Sequence, residues 1–237
     1  MAPTLVLGAS GYVGQALVQE LRRRGHPTVA HVRFDSPRLE HWRAQFAALS
    51  AEMVSTAWDS GQFAALLRER EFAQVYLCLG TTLRRRLWKS KSSVENTYEA
   101  VDFGLSALVI DACVEAGVRP RIVLLSAAGA RTTARSPYLA VRGKLEAHLQ
   151  ASGIDFTIAR PAFITGPGRA EFRPLERLGA ALFDMALLWC AVLGMQIMRE
   201  RYRSIGAIEL AKALATHGAD PHGRNRVLDG ERLRDFP

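Results

Sequence analysis

Short, continuously apolar runs alternate with longer amphipathic stretches along the first two thirds of the chain. Runs rich in Val, Ile and Leu occur at 4–7, 28–32, 74–79, 121–125 and 156–159, with a weaker one at 51–55. Strands apolar on both faces suit a parallel sheet covered on both sides. Between them the spacing predicts helices at 11–24, 38–49, 63–71, 94–116 and 138–151, three of which stop at Gly25, Gly117 and Gly153. Such β–α alternation requires right-handed crossovers and predicts an α/β fold, a doubly wound parallel sheet. The rhythm breaks up at Gly166. Residues 166–237 are therefore expected to be a small, mostly helical substrate-side region of one domain spanning 1–237.

One run departs from the pattern. Residues 178–198 (LGAALFDMALLWCAVLGMQIM) are long and apolar enough to span a bilayer. Asp184 sits within the first half of the run, and a carboxylate at membrane depth costs about 2.5–3.5 kcal/mol. The run is expected to be covered by protein, as a pocket roof or a packed helix; docking to a partner or a membrane surface is the alternative.

Composition narrows the class. Of 237 residues, 49% are apolar and 23% charged, as in globular chains. The net charge of +8 comes from dispersed arginines and does not form a nucleic-acid footprint. Three cysteines, Cys78, Cys113 and Cys190, form no C-x-x-C pair, which excludes a disulfide scaffold and a zinc module. No secretory leader fits ahead of the first motif. A reducing compartment, the cytoplasm, is expected.

That motif is Gly8-Ala9-Ser10-Gly11-Tyr12-Val13-Gly14, directly after a strand and opening a helix. Glycines there permit a tight turn and bring backbone N–H groups close to a pyrophosphate at the helix N-terminus. About twenty residues on, the second strand ends at Arg33. An arginine there pairs with the 2′-phosphate of NADP; alternatively Asp35 takes the ribose of NAD and Arg33 is solvated. The third long strand runs into Gly80-Thr81-Thr82, where a cofactor crosses an open sheet, or where a plain loop glycine precedes a Ser/Thr turn. The loop that follows carries Arg84-Arg85-Arg86. Ser126 ends the next strand, and Tyr138 and Arg142 lie one turn apart on the helix after it. A serine can polarise a carbonyl and a tyrosine can transfer a proton beside a cation. An ordinary Tyr–Arg pair and a turn serine fit equally well.

These residues together resemble the atypical short-chain dehydrogenase/reductases. The likeness rests on Gly8–Gly14, Leu79-Gly80-Thr81-Thr82, Leu124-Leu125-Ser126, Tyr138-Leu139-Ala140-Val141-Arg142 and Arg160-Pro161 leading to Gly166-Pro167-Gly168. Within that superfamily the chain is most similar to the Tat-interacting-protein oxidoreductases, with NmrA-like and epimerase-like relatives. The resemblance implies a Rossmann fold with NADP, or NAD, held by Gly8, Ser10, Gly11, Tyr12, Val13, Gly14, Arg33, Gly80, Thr81, Tyr138 and Arg142. It also implies a Ser–Tyr–Lys constellation, with Ser126 and Tyr138 in the first two roles. The chain departs from it at the third, where Arg142 replaces lysine and Lys144 falls on another face. Arginine keeps the charge but does not deprotonate, so it cannot join a proton relay. The expected activity is NADP-dependent oxidoreduction or epimerase-like chemistry on a small carbonyl or alcohol. The competing expectations are a catalytically weak dinucleotide-binding redox sensor acting through a partner, and a membrane-associated assembly factor.

Overall fold

A computed structural model of the chain describes residues 1–80, 99–165 and 203–236. Strand β1 (Thr4–Leu7) leads into α1 (Tyr12–Arg23), then β2 (Thr28–His31), α2 (Leu39–Ala48), β3 (Glu52–Val54), α3 (Ser60–Arg70) and β4 (Gln74–Leu77). A π-helical turn, Glu99–Gly104, runs directly into α4 (Leu105–Glu115), followed by β5 (Arg121–Leu125), α5 (Pro137–Ala151) and β6 (Phe156–Ala159). The two-residue strands β7 (Ile164–Thr165) and β8 (Ile205–Gly206) pair with each other. Helix α6 (Ala207–Ala219), strand β9 (Arg226–Leu228) and the short helix α7 (Gly230–Arg234) complete the described chain.

The main sheet has the order β3-β2-β1-β4-β5-β6-β9, and every pairing is parallel. The order reverses between β1 and β4, which places a ligand crevice beyond their carboxyl ends. Alternate strand residues face opposite layers. Val6, Tyr76 and Val123 pack under α1, α2 and α6, while Leu5, Leu7, Val75, Leu77, Ile122 and Leu124 pack under α3, α4 and α5. The doubly wound Rossmann architecture expected from the strand–helix rhythm is the one observed.

The differences are local and have physical causes. Helix α3 begins at Ser60, three residues ahead of the apolar stripe, because the Asp59 carboxylate accepts the Gln62 N–H at 2.9 Å and caps the helix. Strands β2 and β4 end earlier than their apolar runs, at His31 and Leu77. Part of the C-terminal region belongs to the sheet itself: β9 extends it beyond β6, and α6 covers the same face as α1. Arg121, buried at the start of β5, fastens α6 by donating to the carbonyls of Gly218 (2.9 Å) and Asp220 (2.5 Å). Residues 205–234 therefore carry a strand of the main sheet as well as two helices, and 166–202 lie outside the described residues. So do the apolar run 178–198, Thr81 and the Arg84–Arg86 loop. No helix among the described residues is long and apolar enough to cross a membrane.

Candidate functional site

The crevice begins at the turn between β1 and α1. Gly8 adopts φ +76°, open to glycine but strained for other residues, and the Gly11 N–H closes the turn on Gly8 O at 2.9 Å. A Cβ on Gly14 would lie 2.1 Å from Gly8 O and 2.8 Å from the Ala9 Cα, so only glycine lets α1 approach the turn this closely. A Cβ on Gly11 would meet only Gly8 O, at 3.0 Å. Gly11 is also the N-cap of α1, and no side chain among the described residues caps that end of the helix. Gln15 pins the turn from inside the helix, its side-chain amide donating to Ser10 O at 3.0 Å. The three glycines thus have separate tasks: Gly8 bends the chain, Gly14 seats the helix, and Gly11 keeps the top of the turn bare. An uncapped helix N-terminus beneath a bare turn is the cradle that a pyrophosphate fits.

Beyond β2 the two candidate cofactor-selecting residues are found together. Arg33 Nε lies 3.4 Å from Asp35 Oδ1, and both side chains are substantially exposed, at 40% and 57%. Just before them His31 is buried against Trp58 and Phe63, with Nε2 3.1 Å from Thr56 O. Burial pushes its imidazole down to about 4, so the ring is neutral at neutral pH.

At the other end of the crevice, Arg142 is held on several sides. Its Nη2 donates to Asp102 Oδ1 at 2.6 Å and to Leu79 O at 3.0 Å, and its Nη1 donates to Leu125 O at 3.2 Å. The guanidinium carbon stands 5.4 Å from the centre of the Tyr138 ring, so the expected pairing of these residues on one helix face is present. The Arg142 side chain is 5% exposed and that of Asp102 is 0%. Gly80 takes on a second meaning here. A Cβ at that position would sit 3.0 Å from Arg142 Nη2, so the missing side chain makes room for the guanidinium.

Ser126 is not presented as a free donor. Its hydroxyl donates to Glu146 Oε1, and Glu146 is also held by Arg160, whose Nε donates to Oε1 at 3.0 Å and whose Nη2 donates to Oε2. The carbonyl-polarising role expected of Ser126 would require its hydroxyl proton to leave this buried carboxylate. Lys144 is confirmed on another face, ion-paired at the surface with Glu99 at 2.6 Å. Burial pushes the Cys78 thiol, beside the glycine turn, up to about 12.

Sequence reasoning missed two residues of this site. Glu146 could have been found, since 138, 142 and 146 share one face of α5 at four-residue spacing. Asp102 carried a weaker signal, one acid in the apolar-leaning stretch Val101-Asp102-Phe103.

Residues 8–180 match the family described as NAD(P)H-binding. The chain belongs to that family. The match begins at the first glycine of the turn and covers every candidate site residue named above. Among curated proteins, the chain is 30% identical over 178 residues to "Protein fmp52-1, mitochondrial" of Aspergillus terreus, covering 74% of this chain and 72% of that one. Among solved structures, it superposes on the UDP-glucose 4-epimerase of Thermotoga maritima, crystallised with UDP-glucose. The TM-score is 0.63 at 16% identity, over 95% of this chain and 75% of that one. The Bordetella bronchiseptica enzyme WbmH, in complex with NAD+, gives a TM-score of 0.58 at 18% identity, over 90% and 71% of the two chains. The expected Rossmann fold therefore holds, with an NAD(P) site on this chain. The cytoplasmic expectation does not hold, because curated relatives are named as mitochondrial proteins. It rested largely on three cysteines with no C-x-x-C pair, a pattern that does not distinguish one reducing compartment from another.

Proposed function

We propose that this protein binds NADP(H) in the crevice and acts as a dinucleotide-responsive module with little catalytic turnover. The observation that carries this is the state of Arg142. A short-chain reductase needs a group at this position that can pass a proton towards the tyrosine. Here the position holds a guanidinium that does not deprotonate, buried against Asp102 and two backbone carbonyls. The engagement of Ser126 with Glu146 supports the same conclusion, because the second polar group of the expected constellation is also occupied. When bound, the nicotinamide supplies or accepts a hydride; in this chain no relay accompanies it. NADP is favoured over NAD because Arg33 offers a cation where the 2′-phosphate falls. On this account a redox signal passes to a protein partner.

A second reading has one observation in its favour. The Arg142 cation stands over the Tyr138 ring, so a fixed charge could assist Tyr138 as the acid of a slow carbonyl reductase on a small-molecule substrate. The two are separated by NADPH consumption with a panel of aldehydes and ketones, comparing wild type with Arg142→Lys. The sensor reading expects wild-type turnover at least a hundredfold below an ordinary enzyme's ~10 per second. A wild-type rate near that value, abolished by Tyr138→Phe, would establish the reductase.

A further inference from the structure

The loop between β2 and α2, Arg33-Phe34-Asp35-Ser36-Pro37-Arg38, sets a serine between two arginines and directly before a proline. Phe34, Asp35, Pro37 and Arg38 are exposed, and Ser36 is half-buried among them. Residues 33–37 belong to neither strand nor helix. The Ser36 N–H donates to Arg33 O and the Leu39 N–H to Ser36 O, each at 3.2 Å, while the Ser36 hydroxyl oxygen accepts the Arg38 N–H at 3.4 Å. These bonds lie at or beyond the long end of the usual range, so little holds the loop against being drawn out by an enzyme that reads an extended segment.

The turn folds Ser36 back against Arg33, at the corner where the two cofactor-selecting side chains meet. Arg33 is committed there only to its surface contact with Asp35, and an exposed pair of this kind is worth little. On the other side of Ser36 the Arg38 guanidinium is braced 4.6 Å from the centre of the ring of Trp42, one turn into α2. A phosphoryl group on Ser36 would place about two negative charges between these cations. Its oxygens offer Arg33 a bidentate, charge-assisted partner, which a single exposed carboxylate oxygen does not match. The dipole of α2, which opens at Arg38, acts in the same direction.

We propose that Ser36 is a phosphorylation site that sets cofactor choice, expelling NADP(H) while leaving NAD(H) able to bind. This rests on the NADP(H) reading above, in which Arg33 meets the 2′-phosphate. The co-reactants are ATP and a proline-directed protein kinase, for which Pro37 is the recognition feature. Ser36 Oγ attacks the γ-phosphorus, the new O–P bond forms as the bond to the bridging oxygen breaks, ADP leaves, and the hydroxyl proton passes to the kinase's base. The phosphoserine then occupies Arg33 and repels the 2′-phosphate. NAD(H) carries a hydroxyl at that position, so neither loss applies to it.

The test installs phosphoserine at position 36 during translation of the full chain and titrates NADPH and NADH against the modified and unmodified proteins. NADPH should weaken about tenfold or more, with NADH within about twofold. Equal weakening of both would mark a structural effect, and that result, or unchanged NADPH affinity, overturns the proposal. In a second arm a purified proline-directed kinase with Mg-ATP acts on wild type and on Ser36→Ala. Phosphate mapped to Ser36 by mass spectrometry of the wild type, and missing from that peptide of Ser36→Ala, is the expected result; no phosphate at Ser36 overturns the proposal. If the unmodified protein binds NADPH no more tightly than NADH, the NADP(H) reading fails and this inference with it. A preference for NADPH that survives phosphoserine installation defeats this inference alone.

Discussion

Replacing Gly14 and Gly11 by alanine should have opposite consequences, although both lie in one motif and receive one methyl group. At Gly14 the new Cβ would be 2.1 Å from Gly8 O and 2.8 Å from the Ala9 Cα, both backbone atoms that cannot rotate aside. Relief requires α1 to move outward by on the order of 1 Å to regain van der Waals separation. The helix is not free to do so. It buries Leu17 and Leu21, and beyond its end Arg24 is tied to Thr216 of α6 at 2.8 Å. Overpacking of this kind costs about 1–3 kcal/mol, with the upper end expected against rigid backbone. In a chain of this size that lowers Tm by roughly 5–10 °C. At Gly11 the Cβ meets a single oxygen at 3.0 Å, and the backbone (φ −78°, ψ 165°) is open to alanine, so Tm should fall by no more than about 2 °C. Its methyl group, however, stands on the face that the pyrophosphate must reach, and NADPH affinity should drop tenfold or more. Thermal melts paired with fluorescence titration of NADPH read both quantities. Gly14→Ala with an unchanged Tm, or Gly11→Ala binding NADPH as tightly as wild type, refutes this division of labour.

Arg33→Ala should weaken NADPH about tenfold to a hundredfold, the loss of a charge-assisted contact, with NADH barely affected; equal weakening of both in paired titrations would remove Arg33 as the phosphate anchor. Asp35→Asn frees Arg33 from its surface partner and should tighten NADPH by no more than a few-fold, since exposed pairs are weak; a loss of NADH affinity instead would make Asp35 the ribose acceptor. His31 titrates at about 4 in the folded protein against an ordinary 6.5, so between those values the unfolded chain binds more protons. Its contribution is intact above pH 6.5 and falls by up to about 3 kcal/mol towards pH 4. Urea unfolding at pH 7 and pH 4.5 should show a smaller difference for His31→Phe than for wild type, and an identical difference would contradict the assignment. If 178–198 is covered by protein, untagged protein should fractionate with the soluble lysate; recovery only from detergent-solubilised membranes would reverse that expectation.

The fold was legible because its signal is local. Strands β1, β5 and β6 coincide with their apolar runs, since a strand buried on both faces reads as a near-continuous apolar stretch. Strand β9 was not legible. Its three residues begin with an exposed arginine, and it is a strand only because β6 offers a free edge. Helix α6 has five alanines among its thirteen residues, and Arg121, about a hundred residues earlier, fastens its end to the sheet. The glycine turn showed the same contrast. Spacing identified Gly8, Gly11 and Gly14 together, but only the distances separate their tasks. In the second half of the site, spacing paired Tyr138 with Arg142 correctly. It did not reveal that Arg142 is tied to Asp102 or that Ser126 is tied to Glu146. Both partners are remote in sequence from the residue they restrain, 40 and 20 positions away, and spacing does not show which side chain binds which.

On the proposed reading the crevice holds NADPH while lacking the relay that would consume it quickly. Mixing the protein in excess with NADPH and following nicotinamide fluorescence before and after adding a carbonyl panel tests both halves in one cuvette. Saturable binding, with emission that then persists over many minutes in the presence of the carbonyls, is the predicted result. A signal that never saturates would contradict the site, and rapid decay of bound NADPH on adding any carbonyl would contradict the missing relay.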